Sequence, residues 1–198
     1  MYKKLIKPVL DFLFSLILII ILSPLFLIIA IVSKIYEPSG TVLFRQQRAG
    51  EYNKPFLCYK FRSMKMTAPK NASTWELEHP EEFITPLGKF LRKTSLDELP
   101  QLINILKGDM SFIGPRPVIL KEKELLDLRK ANGAYSAKPG ITGLSQISGR
   151  DNLPPKEKAH TDGLYAKDIS FLNDTKILFK TIPKVILGDG VTEGKQNF

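Results

Sequence analysis

The sequence predicts a mostly α-helical α+β fold: a small β-hairpin and several short helices, joined to an N-terminal helix that enters a membrane. Three observations carry this. Phe12 to Val32 is almost wholly apolar, broken only by Ser15, Ser23 and Pro24. Thr41–Gln46 and Phe56–Phe61 read as two strands around a polar turn containing Gly50 and Asn53. Later stretches repeat apolar residues at three- and four-residue steps between proline and glycine stops.

At 198 residues the chain is long enough for one domain with a proper core plus an appendage. Lys and Arg outnumber Asp and Glu by 29 to 20, a formal charge of +9. Such a balance expects an anionic partner: nucleic acid, anionic lipid or a phosphorylated small molecule. Cys58 is the single cysteine, so no internal disulfide forms. No Cys/His cluster has zinc spacing, and His79 and His160 stand alone in polar surroundings. No helix-turn-helix, zinc or aromatic RNA signal supports a nucleic-acid partner.

The N-terminal segment follows Lys3, Lys4 and Lys7 and precedes Lys34, Arg45 and Arg48. Its length suits a retained membrane segment better than a signal peptide. Balanced flanks fit a re-entrant hairpin, since a spanning helix should be biased toward cytoplasmic Lys and Arg. Arms of about 11 residues would reach roughly mid-bilayer, with Ser23 and Pro24 as the membrane turn. A kinked spanning helix is the alternative, because proline often only kinks. The expected partition is residues 1–36 for this segment, 37–188 for a cytosolic-face catalytic domain, and 189–198 for a flexible tail.

Beyond the strands, Thr67 to Glu82 reads as a mobile loop. Thr85-Pro86 starts a short helix carrying Lys89, Arg92 and Lys93. Further helices are expected over Val118–Lys130, Pro155–Lys167 and Phe171–Leu187, and Lys138-Pro139-Gly140 is a turn. In the last helix Leu172, Thr175, Phe179, Ile182 and Ile186 form one row, and Lys176, Lys180 and Lys184 another. A basic amphipathic helix of this kind lies either in a membrane interface, on anionic lipids, or with its apolar side in the core.

Thr94 to Pro117 organises the rest: adjacent Asp97 and Glu98, then an apolar helical run with Leu99, Leu102, Ile103 and Leu106 on one buried face, a stop at Gly108, and Gly114-Pro115-Arg116-Pro117. One reading makes Ser95-Leu96-Asp97-Glu98 a capping box. A second reading, compatible with the first, makes the carboxylates a nucleophile or metal ligand, kept ionised by the helix N-terminus. Arg116, between two prolines, presents a guanidinium in a stiff turn. Arg92, Arg116 and Arg150 are candidate phosphate ligands, with Lys60 as a point charge.

Taken together, the motifs resemble the small monotopic phosphoglycosyl transferases, the catalytic core of the bacterial sugar transferase family. The resemblance rests on Ser23-Pro24, Phe44-Arg45-Gln46 with Arg48 and Gly50, Tyr59-Lys60-Phe61-Arg62-Ser63-Met64, and Asp97-Glu98-Leu99-Pro100-Gln101. It rests also on Lys107-Gly108-Asp109-Met110-Ser111, Gly114-Pro115-Arg116-Pro117 and Lys138-Pro139-Gly140-Ile141-Thr142-Gly143. It implies transfer of a sugar-1-phosphate from a UDP-sugar to polyprenol (undecaprenyl) phosphate at the cytoplasmic face of a bacterial inner membrane, with release of UMP. It further implies Asp97 as nucleophile, bearing a covalent phosphosugar, and Glu98 as the Mg2+ ligand. Family members often carry a tyrosine pair near Leu164-Tyr165, and this chain has one of the two. A non-catalytic, membrane-tethered module binding lipid headgroups is the rival reading; it has no need of adjacent Asp97 and Glu98.

Overall fold

The computed structural model describes residues 1–69, 77, 79–149 and 152–187, with side chains described as far as Lys184. Arg150, part of the expected loop and the tail from Gly188 lie outside these. A π-helical turn, Tyr2–Ile6, runs into α1, Lys7–Tyr36. There follow β1 (Leu43–Ala49), β2 (Pro55–Phe61), α2 (Pro86–Lys93), α3 (Gln101–Leu106) and β3 (Ser111–Ile113). Next come α4 (Lys123–Asn132), β4 (Gly140–Thr142), α5 (Leu144–Ser148), α6 (Pro155–Lys167) and α7 (Phe171–Leu187). The fold is α+β, helical with small sheets, as the sequence predicts.

Helix α1 is patterned inside out. Its buried residues are Lys7, Asp11, Ser15, Ile29 and Ser33, whereas Ile17, Ile20, Ile21, Leu27, Ile28 and Ile31 are exposed. The buried positions recur at steps that keep them on one face, and that face meets the body along its length. Lys7 pairs with Asp174 at 2.6 Å, and the Asp11 carboxylate accepts from the Phe112 N–H at 3.3 Å. Leu18, Ile19 and Leu22 pack on the cluster of Cys58, Leu102, Ile105 and Met110. Leu25 and Phe26 pack on the cluster of Ile29, Phe61 and Leu91. Among the described residues α1 is the one helix long and apolar enough to cross a membrane.

The expected membrane turn at Ser23 and Pro24 falls within α1. The helix is one element, with Pro24 inside it. Proline lacks the N–H that would bond the carbonyl four residues back. Here that carbonyl belongs to Ile20, and the Ser23 hydroxyl donates to it at 2.8 Å. The dipeptide therefore supplies a donor for the carbonyl that its own proline leaves without one.

β1 and β2 form an antiparallel hairpin, with Arg45 opposite Tyr59 and Gln46 opposite Cys58. β1 runs three residues further than the sequence implied, because its end is paired: the Ala49 N–H donates to the Val118 carbonyl, and Arg48 bridges to Ile119. The same pairing delays α4. Val118 and Ile119, expected in a helix, are extended and buried, and the helix starts at Lys123.

β3 and β4 make a parallel pair, Ser111 opposite Gly140 and Ile113 opposite Thr142. The expected turn at Gly140 is thus the start of a strand. Backbones touch here: a Cβ on Gly114 would run into the Lys138 carbonyl, and one on Gly140 into the Gly114 nitrogen. Among the described side chains of α7 the buried ones are Asp174 and Ile177, while Leu172, Phe179 and Ile182 of the apolar row are exposed, as is Phe171. The core alternative is therefore not realised at Leu172, Phe179 and Ile182.

Candidate active site

The dyad sits in a turn between two helices. Thr85 caps α2, its hydroxyl accepting from the Gly88 N–H at 2.9 Å. At the other end Thr94 bonds back to the Phe90 carbonyl. Ser95 then takes a left-handed conformation, φ 57°, which turns the chain into a 3₁₀ turn, Leu96–Glu98. Pro100 leads directly into α3.

This local path excludes the capping box. Ser95 makes no side-chain cap bond. The Glu98 carboxylate points elsewhere: its Oε1 accepts from Lys60 Nζ at 2.7 Å and from Arg116 Nη2 at 3.1 Å. Asp97 Oδ2 lies 3.9 Å from the same Lys60 nitrogen. Both carboxylates are buried, 8% exposed for Asp97 and 7% for Glu98. Burial pushes the Asp97 carboxyl above its ordinary range. Lys60, Arg92 and Arg116 pull it down and Glu98 pushes it up, but burial outweighs the cations. Desolvation therefore opposes the stabilisation of ionised Asp97 expected from a helix end.

Each cation is placed by a different segment. Lys60 is on β2, on the same face as buried Cys58, two residues away. β2 is held in place by Asn104 of α3, which is wholly buried. Asn104 Oδ1 accepts from the Tyr59 N–H at 3.0 Å, and its Nδ2 donates to the Leu57 carbonyl at 2.7 Å. One side chain thus completes the strand edge as a neighbouring strand would. Arg92 stands in the last turn of α2, where its charge acts on Asp97.

Arg116 sits in a loop whose carbonyls are individually held. Pro115 O accepts from the Gly140 N–H at 2.9 Å, Arg116 O from Arg129 Nη1 at 2.8 Å, and Pro117 O from Arg48 Nη1 at 2.9 Å. Arg129 in turn donates through Nε and Nη2 to Asp162 Oδ2, and Ser145 donates to Asp162 Oδ1 at 2.8 Å.

The structure thus brings Lys60, Arg92, Asp97, Glu98 and Arg116 together. Arg150 lies outside the described residues, and Ser23 and Pro24 lie within α1. Sequence reasoning missed Asn104, Arg129, Asp162 and Ser145, and had Arg48 only as part of a motif with no role. Asn104 gave a visible signal, a lone amide inside the apolar Leu102–Leu106 run; the others looked like ordinary polar surface residues. Leu99, Ile103 and Leu106, expected in the buried face of α3, are half-buried, and Gln101, Asn104 and Ile105 share burial with Leu102.

Among the described residues no group of three or more His, Cys, Asp or Glu is placed to hold a metal ion. An all-protein cage is therefore not built there. Two adjacent carboxylates do suit magnesium, which keeps several waters and binds through one or two carboxylates plus substrate phosphates.

A family profile described as bacterial sugar transferase matches residues 2–188. The chain is 39% identical over 202 residues to the undecaprenyl-phosphate galactose phosphotransferase of Salmonella typhimurium, covering 95% of this chain and 42% of that protein. It is 38% identical over 191 residues to the UDP-glucose:undecaprenyl-phosphate glucose-1-phosphate transferase of Escherichia coli, covering 92% of this chain and 40% of that protein. It is 37% identical over 194 residues to the exopolysaccharide production protein ExoY of Sinorhizobium fredii, covering 91% of this chain and 85% of that protein. The chain thus spans less than half the length of the first two of these relatives and most of the third.

Proposed function

This chain belongs to the bacterial sugar transferase family, and from that membership we propose that it transfers a sugar-1-phosphate from a UDP-sugar to polyprenol phosphate. The observation that carries the reading is the buried Asp97–Glu98 pair, met by cations from separate segments of the chain.

Asp97 is the nucleophile. Its carboxylate oxygen attacks the sugar-bearing phosphorus, and the bond from that phosphorus to the bridging oxygen breaks. UMP leaves with the bridging oxygen, and the phosphosugar stays on Asp97 as an acyl phosphate. A phosphate oxygen of the polyprenol phosphate then attacks the same phosphorus. This frees the Asp97 carboxylate and gives a polyprenyl diphosphate sugar. One site serves both partners because the soluble leaving group departs before the lipid reacts.

Lys60, Arg92 and Arg116 lower the cost of ionising buried Asp97 and hold donor phosphate oxygens. Arg116 offers a planar fork from a fixed loop, and Lys60 a single strong charge. Glu98 keeps Lys60 and Arg116 in register with Asp97, and with the donor phosphates it would hold Mg2+. When bound, that ion screens the negative charge that an approaching carboxylate must overcome.

The site faces nucleotide sugar on the cytoplasmic side of the bacterial inner membrane. The contact pattern of α1 supports a monotopic seat. Its buried face meets the body from Lys7 to Ser33, about 39 Å of helix at about 1.5 Å per residue. That exceeds a hydrocarbon core of about 30 Å. A fully spanning α1 would drag Asp174, β3 and α3 across the bilayer with it. The exposed Phe171, Leu172, Phe179 and Ile182 of α7, beside Lys176 and Lys180, supply a second surface for anionic lipid.

The test is to incubate detergent-purified protein with a panel of UDP-sugars, Mg2+ and polyprenol phosphate, and to measure UMP. Intact mass after UDP-sugar alone should show a phosphosugar adduct that Asp97→Asn lacks. An adduct that persists in Asp97→Asn overturns the assignment of the nucleophile. Absence of UMP from every donor favours a lipid-binding module.

A further inference from the structure

Arg129 makes an unusual investment for a residue on a surface helix: it is 2% exposed, and its partner Asp162 is 1% exposed. Burying such a pair removes two charges from water, and apolar replacements of similar size often stabilise a fold as well or better. Stability alone therefore does not account for the pair. What a guanidinium adds is its third direction. Nε and Nη2 are used on Asp162, and Nη1 is left to reach the Arg116 carbonyl at 2.8 Å.

That carbonyl is a sensitive point. Pro115 and Pro117 fix their own φ angles and lack N–H donors. The residue before a proline is confined as well. The remaining freedom of the loop near Arg116 is the tilt of the Arg116–Pro117 peptide, and the held carbonyl sets it. A small rotation there swings the whole Arg116 side chain away from Glu98. Ser145 and both nitrogens of Arg129 hold Asp162, so the anchor behind the carbonyl is itself rigid. Among the described residues, the charges acting on Asp97 include those of Lys60, Glu98, Arg92 and Arg116, and not that of Arg129. The route from Arg129 to the dyad is therefore the main chain of Arg116.

We propose that Arg129, oriented by Asp162 and Ser145, is a positioning residue that sets affinity for the donor diphosphate by fixing the Arg116 peptide. The inference rests on the donor reading given above. It assigns the cluster to the diphosphate, not to the sugar or the lipid.

The experiment uses the full-length protein in detergent and UDP as probe, the part common to every UDP-sugar. All variants carry Asp97→Asn, so binding is read without turnover. Adding Arg129→Lys keeps the charge for Asp162 but loses the third direction, and should weaken UDP about tenfold, as expected for one charged hydrogen bond. The same change in an Arg116→Ala background should alter UDP affinity less than about twofold, because the group being positioned is gone. Equal weakening in both backgrounds, or none in the first, overturns the proposal. If Arg129→Lys does not fold, Arg129→Met combined with Asp162→Leu replaces the pair by apolar groups, with the same two expectations. Failure of folded Asp97→Asn protein to bind UDP would instead overturn the donor reading, and this inference with it.

Discussion

Asn104→Leu isolates what one buried amide does for the site. The side chain is wholly buried and bonds the Tyr59 N–H at 3.0 Å and the Leu57 carbonyl at 2.7 Å. Leucine is close to it in size, so little cavity or crowding follows. What is lost is the pairing of two main-chain groups, each costing about 1–3 kcal/mol if left buried and unpaired. Leu57 is exposed and Tyr59 half-buried, so water reaches part of this edge and the lower half of that range applies. The expected loss is about 2–4 kcal/mol, against a total of about 5–15 kcal/mol for a native domain. For a chain of this size that is a fall of about 5–15 °C in Tm, readable by thermal or denaturant unfolding in detergent. Lys60 follows Tyr59 directly, so UMP release should slow more than the loss of folded protein explains. Asn104→Asp should be worse. It keeps the acceptor for Tyr59, loses the donor for Leu57, and places a carboxylate against Asp109, whose Oδ2 is 3.3 Å from the present amide nitrogen. A loss below about 1 kcal/mol in Asn104→Leu would refute the reasoning, since it would mean that solvent satisfies this edge.

Asp97→Asn should abolish UMP release and, above the raised folded-state pKa, increase stability. The sign follows from the folded state binding the Asp97 proton more tightly than the unfolded chain. Ionised Asp97 thus costs stability at neutral pH, and the advantage of the variant should shrink to nothing as pH falls to the ordinary aspartate range; an advantage that grows on acidification contradicts this. Glu98→Gln removes the charge shared by Lys60 and Arg116; it should weaken Mg2+ dependence and slow turnover severely in a magnesium titration. Arg116→Lys keeps the charge but not the fork, so kcat/KM should fall by one to two orders of magnitude, roughly the worth of a charged hydrogen bond, while vesicle binding is retained. For topology, a cysteine at Lys3 in a Cys58→Ser background should be protected from an impermeant thiol reagent in intact cells; labelling from outside would show that α1 crosses the membrane.

Several features were legible without coordinates because they depend on neighbours in the chain. The apolar run of α1, the period-two hairpin strands, the Thr85-Pro86 helix start and the stop at Gly108 are all written in local sequence. So was the candidate chemistry: adjacent carboxylates in Asp97-Glu98, and Arg116 locked between prolines.

What tertiary structure decided were directions and surroundings. Ser95-Leu96-Asp97-Glu98 reads as a capping box until a left-handed Ser95 turns Glu98 toward Lys60 and Arg116, residues 38 and 18 positions away. The helix-end argument favoured ionised Asp97, but it holds for a solvated terminus, and burial works against it. The β3–β4 pair was invisible because three-residue strands show no period and their pairing spans a distant loop. Arg129 and Asp162 looked like solvated helix residues, since charge pattern does not tell which charges fold inward. The sequence determined which groups are present and the local turns that carry them. Desolvation and long-range pairing, which exist only once distant segments meet, decided what those groups face.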